Sequence, residues 1–181
     1  MNTSAQFDDI INACKIIFLH KTADYGTSWR VYRTISVADQ IYIKAKRIRN
    51  IQSGIVQKIA DDVQSEWMGI LNYCIIGLIQ LQINNDQPEE LAIEVVEHLY
   101  TQQIQIAKEL MQHKNNDYGE AWRDMHEESF VDLSLAKILR IKQIVANNGI
   151  TQVSEGVASN FLDILNYAAF SLILIEENKL S

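Results

Sequence analysis

The stretch His113-Lys114-Asn115-Asn116-Asp117-Tyr118-Gly119-Glu120-Ala121-Trp122-Arg123 decides how this chain is read. Its pattern already stands 93 residues earlier, in His20-Lys21-Thr22-Ala23-Asp24-Tyr25-Gly26-Thr27-Ser28-Trp29-Arg30. Lys44 and Arg47 return at the same offset as Lys137 and Arg140, and Leu71-Asn72-Tyr73 returns one step further on as Leu165-Asn166-Tyr167. Self-similarity over so long a stretch is the signature of a duplicated structural unit. The chain divides into residues 1–83 and 84–181, and the joint Asn84–Pro88 is polar but short. Two halves so closely tied are expected to pack as one globular unit.

Working outward from the repeat, apolar residues recur three and four apart rather than alternating, and one proline among 181 residues leaves few breaks. The spacing predicts an all-α fold with helices at about 5–20, 36–52, 56–83, 89–113, 129–147 and 153–178. Each half supplies three, so the expected architecture is a bundle of two tandem three-helix repeats with pseudo-twofold symmetry. Pro88-Glu89-Glu90 reads as a helix start, since proline suits the first turn and carboxylates favour the positive end of the dipole. The last helix carries Val157, Phe161, Ile164, Leu165, Ala168, Leu172 and Ile175 on one arc, and its expected partner is the helix of Trp67, Ile70, Leu71, Ile75, Leu78 and Ile79. Apolar surface left over on these helices suits a homodimer.

Charge and composition narrow the functional classes. A net charge of −7 argues against a nonspecific grip on duplex DNA or anionic membrane. The apolar runs near Ile75 and Leu172 read as too short or interrupted to cross a bilayer. Cys14 and Cys74 occupy non-equivalent places and form no disulfide framework. With no basic leader at Met1-Asn2-Thr3-Ser4, the expectation is an unexported, cytoplasmic protein.

Several polar sets compete for meaning. In each Asp-Tyr-Gly-x-x-Trp-Arg segment, placed between helices, glycine can take positive φ and aspartate can accept N–H groups at a helix start. That account leaves Lys114 and Arg123 unexplained, and an aromatic face beside cations is also how proteins hold a base and its phosphate. Lys137 and Arg140 share a helix face, either paired with Asp117, Asp163 or Glu155, or clamping a phosphate or carboxylate. Asn160, Asp163 and Tyr167 fall on one stripe of the last helix. The first half reads Glu66, Gly69 and Tyr73 there, so each half keeps a different carboxylate. Helix-borne carboxylates three apart suit a Mg²⁺ site, which here would need Glu155, Asp61, Asp62 or the other half to complete it.

The order Lys-x-x-Asp-Tyr-Gly-x-x-Trp, Lys-x-x-Arg-Ile and Asp-Ile-Leu-Asn-Tyr resembles the nucleotide-modification-associated domain 1 family of all-helical proteins. The fuller match runs from residue 114 to 167, and the first half looks like a diverged second copy. By position the resemblance points to Lys114, Asp117, Tyr118, Gly119, Lys137, Arg140, Glu155, Asp163, Asn166 and Tyr167. The acidic helix is also similar to that of the all-α nucleotide pyrophosphohydrolases, which bind Mg²⁺. The sequence departs from their pattern: it has no clear Glu-Glu-x-x-Glu helix, and Asn160 stands where an acid is expected. Two readings follow. In one, a nucleotide or related phosphate compound binds between helices. Tyr118 and Trp122 flank the base, while Lys114, Lys137 and Arg140 hold phosphate and Arg123 is a further ligand contact. Asp163 with Glu155 serves as the catalytic and metal pair for Mg²⁺ or Mn²⁺. In the other, the same polar residues form a buried network within a non-catalytic, dimeric scaffold module.

Overall fold

The computed structural model of the chain describes residues 2–58, 62–83, 88–153 and 155–180, with the side chains of 179 and 180 left aside. The described residues form six α-helices, α1 (Thr3–Tyr25), α2 (Thr34–Gln52), α3 (Val63–Gln82), α4 (Ile93–Tyr118), α5 (Glu127–Ala146) and α6 (Val157–Leu180), and no strand. One-turn 3₁₀ segments, Ser28–Val31 and Ala121–Asp124, follow α1 and α4. The all-helical expectation of three helices per half holds, with three corrections. The third helix starts at Val63 rather than near 56, where Asp62 accepts the Ser65 amide at 2.8 Å as its cap. Residues Ile55 and Val56 instead lie in an exposed connection that follows Gly54 at φ 77°. The fourth starts at Ile93, because Pro88–Glu90 are spent elsewhere: the Glu89 carbonyl accepts the Thr27 hydroxyl at 2.6 Å, and the Glu90 carboxylate accepts the Thr27 amide at 3.3 Å. Most of the joint expected at Asn84–Pro88, and Asp61 with it, falls outside the described residues.

The third correction concerns the repeated motif itself. Asp24-Tyr25 and Asp117-Tyr118 end α1 and α4 rather than begin a helix, so neither aspartate acts as an N-cap. Gly26 and Gly119 follow at φ 67° and 63°, the left-handed conformation that stops a helix and that a side chain resists. Gly26 is further constrained, since a Cβ there would lie 2.5 Å from the Glu90 carboxylate. Each glycine releases the chain into the 3₁₀ turn that drives Trp29 or Trp122 into the core, both 6 % exposed.

The helices obey a twofold logic. Each meets its own counterpart, α1 with α4, α2 with α5 and α3 with α6, and the α2–α3 contact of the first half recurs as α5–α6 in the second. The longest interface is that of α3 with α6 at the centre, where Trp67, Ile70, Leu71, Ile75, Phe161, Ile164 and Leu165 are at most 2 % exposed. Contrary to the expectation from Leu172, α6 is long and apolar enough over Val157–Asn178 to cross a membrane; here most of that stretch is buried in the bundle. Cys14 and Cys74 are free and buried, and burial pushes the Cys14 thiol up to about 12.

Close approach at the centre depends on one residue without a side chain. A Cβ at Gly77 of α3 would lie 2.7 Å from the Phe161 ring of α6, and that ring is fully buried. Gly77→Ala is expected to lower unfolding free energy by about 1 to 3 kcal/mol, since overpacking outweighs the helix propensity gained. Urea denaturation measures the loss.

Candidate functional site

Both halves bring cations to a carboxylate on their third helix, but from different places. In the second half Asp163 of α6, 5 % exposed, receives the Lys114 ammonium of α4 at 2.5 Å on Oδ1 and the Lys137 ammonium of α5 on Oδ2. One carboxylate thereby ties three helices. In the first half Glu66 of α3, 4 % exposed, receives Lys44 at 3.1 Å and Arg47 at 2.6 Å, both from α2. Asp163 corresponds to Gly69, whose missing side chain makes room for Lys44: a Cβ there would lie 2.7 Å from Lys44 Cε. Lys44 passes over Gly69 to reach Glu66. Lys21, the counterpart of Lys114, makes no ion pair or hydrogen bond among the described residues, with no acid at 69 to receive it.

The first half holds a pocket of about 390 Å³ between α1, α2 and α3. Its walls include Phe18, Lys21, Tyr25, Trp29, Lys44, Gly69 and Tyr73. Tyr32 stacks behind Tyr73 with ring centroids 6.5 Å apart. Burial, and then Tyr32 through its charge and a side-chain hydrogen bond, raises the Tyr73 phenol above its ordinary value. Trp29 Nε1 is buried without a hydrogen-bond partner. The pocket therefore joins aromatic faces, phenolic hydroxyls and a cation with no internal partner.

The residues expected to form one site in the second half separate into four places, with Asn166 in a fifth. Asp163, Lys114 and Lys137 make the triad, and Tyr167 lies half-buried nearby, its phenol raised by burial and then by the Asp163 charge. Asp117, Tyr118 and Gly119 are exposed at the end of α4. Trp122 lies flat on Phe170, centroids 4.3 Å apart at 6°, under the Arg123 guanidinium, also 4.3 Å away. Arg123 meets Glu120 at 2.6 Å, Glu177 at 2.7 Å, Thr3 at 2.9 Å and Gln6 at 2.6 Å. Burial alone lowers its pKa, and the bonds from Glu120 and Glu177 outweigh this and raise it. It closes the turn and the chain's start against α6. Arg140 and Glu155 line a further cleft beyond Lys137.

Asn166 is a structural clasp, donating to the Ala107 carbonyl of α4 at 3.2 Å, as Asn72 donates to the Cys14 carbonyl of α1 at 3.1 Å. Tyr100 donates to Asn72 Oδ1 at 2.9 Å, whereas Phe7 stands at the equivalent place in the other half and Asn166 Oδ1 is unpartnered. Both Asp163 oxygens are held by ammonium groups, and among the described residues no three His, Cys, Asp or Glu side chains gather as metal ligands. The pocket residues missed in the sequence are Lys21, Tyr25, Trp29 and Tyr73, and Gly69 was their signal: deleting an acid frees its cation.

These features define a duplicated helical bundle in which each repeat locks its third helix by a cation–carboxylate cluster. Residues 21–81 and 114–175 both match the model of the nucleotide modification associated domain 1 family. The chain belongs to that family and carries its domain twice. No curated protein and no solved structure matches it.

The asymmetry predicts unequal stability effects at equivalent lysines. Lys114→Met is expected to cost about 1 kcal/mol through the lost charged hydrogen bond, whereas Lys21→Met stays within about 0.5 kcal/mol of the parent. Chemical denaturation of the two variants compares them directly.

Proposed function

We propose that this protein binds a nucleotide or a nucleotide-like phosphate compound, and that the first-repeat pocket holds it. The observation that carries this reading is the unpaired Lys21 at the rim of an aromatic-walled pocket. Tyr25 and Tyr73 offer faces for a base, and the free cation offers a phosphate contact. A volume of about 390 Å³ lies in the range of small-molecule sites. The family's name, which links it to nucleotide modification, supports the same class of ligand. The reading proposed is binding; in the second repeat both Asp163 oxygens are engaged by lysine ammonium groups.

The test is thermal unfolding against a panel of nucleoside and deoxynucleoside mono-, di- and triphosphates. At about 100 times the dissociation constant a ligand stabilises the fold by roughly 2.7 kcal/mol. Gly69→Asp restores the acid that holds two lysines in the second repeat and is expected to fold while losing the response; Lys21→Ala weakens it. An undiminished response in Gly69→Asp would overturn the assignment.

The alternative of a scaffold module draws support from how many of the repeated polar residues pair internally, Glu66 and Asp163 above all. Exposed Ile43 on α2 and Leu139 on α5 leave apolar surface for a second copy. A dimer in sedimentation, with no thermal response to any nucleotide, would favour it.

A further inference from the structure

We infer that the second repeat holds a separate anion site, for a small compound with a single phosphate group that also carries hydroxyl or amino donors. The site is the cleft of about 1210 Å³ at the end of α5, lined by Lys137, Arg140, Asn147, Thr151, Glu155 and Asn160 among others. Its first-repeat equivalent is a smaller hollow of about 440 Å³ lined by Lys44, Arg47 and Glu66. There the Glu66 carboxylate satisfies both cations. Asn160 replaces Glu66 in the second repeat, and Lys137 turns to Asp163. Arg140 keeps the place of Arg47 but makes no ion pair or hydrogen bond among the described residues.

Two further features shape the ligand. Asn160 is 3 % exposed; it donates to the Gly156 carbonyl at 2.8 Å, and its Oδ1 is buried without a donor. A buried acceptor left unmatched is costly, and a ligand hydroxyl or amino group would satisfy it. Glu155, exposed on the cleft wall, also accepts from such donors and repels a polyphosphate. The guanidinium fork of Arg140 suits one phosphate in bidentate contact. This site stands apart from the first-repeat pocket, and its proposal does not depend on what that pocket binds.

The experiment is an NMR titration of the ¹⁵N-labelled full chain with ribose 5-phosphate, with ribose and inorganic phosphate as separate arms, followed at the Asn160 side-chain amide and Arg140 Nε–H. Saturable shifts with ribose 5-phosphate are expected, tighter than with either part alone. Arg140→Gln, a change at an exposed side chain, should weaken binding about tenfold through the lost charge-assisted bonds. Asn160→Glu, which rebuilds the first-repeat pairing, should abolish it, while Gly69→Asp should leave it unchanged. No saturable shift, or equal affinity in Arg140→Gln, would overturn the site. Inorganic phosphate binding as tightly as the sugar phosphate would overturn the donor requirement. Loss in Gly69→Asp would mean that the shifts report the other pocket.

Discussion

Everything distinctive about this bundle follows from where one carboxylate sits on the third helix of each repeat. Lysines and arginines on neighbouring helices bury their stems in the bundle and must end near a negative charge or water. With the acid at the Asp163 position, cations from two other helices converge on it and tie the three helices together. With the acid one turn earlier, at Glu66, only the second helix is captured and the first helix keeps a free lysine over an open pocket. The duplicated scaffold thus holds two different solutions to one electrostatic problem. Each leaves unpaired a cation that the other uses: Lys21 in the first repeat, Arg140 in the second.

The helix ends complete the arrangement. Gly26 and Gly119 stop α1 and α4 in the left-handed conformation, and the short turns that follow bury a tryptophan in each half. In the second half that tryptophan is sandwiched between Phe170 and Arg123. In the first, Ile76 stands where Phe170 does, and Trp29 faces the pocket instead. The Asn72 and Asn166 clasps hold the first helix of each repeat to the third, so the pocket walls stand on a fixed framework.

Much of the fold was legible because a repeat, apolar periodicity and a nearly proline-free chain all point to paired helices. The misplaced boundaries have local causes. Ile55 and Val56 extend an apolar run that Gly54 has already broken, and Pro88-Glu89-Glu90 carries helix-start chemistry that is spent on gripping Thr27. The exchange of Glu66 for Asn160 and of Gly69 for Asp163 was visible as well, but spacing along one helix suggested carboxylates gathered for a metal. The cations that claim them come from helices 26 and 49 residues away, and no periodicity within a helix reports them. Asn166 read as a ligand contact for the same reason, and so did Arg123, whose partners other than Glu120 are remote in sequence.

The central claim is that acid placement leaves Lys21 free while Lys114, Lys137 and Lys44 are held. Residue-by-residue acylation of lysine amines in the native protein, read by mass spectrometry over time, tests it most directly. Lys21 is predicted to react well ahead of the other three, because their ammonium groups are committed to carboxylates. Equal rates at Lys21 and its counterpart Lys114 would contradict the account.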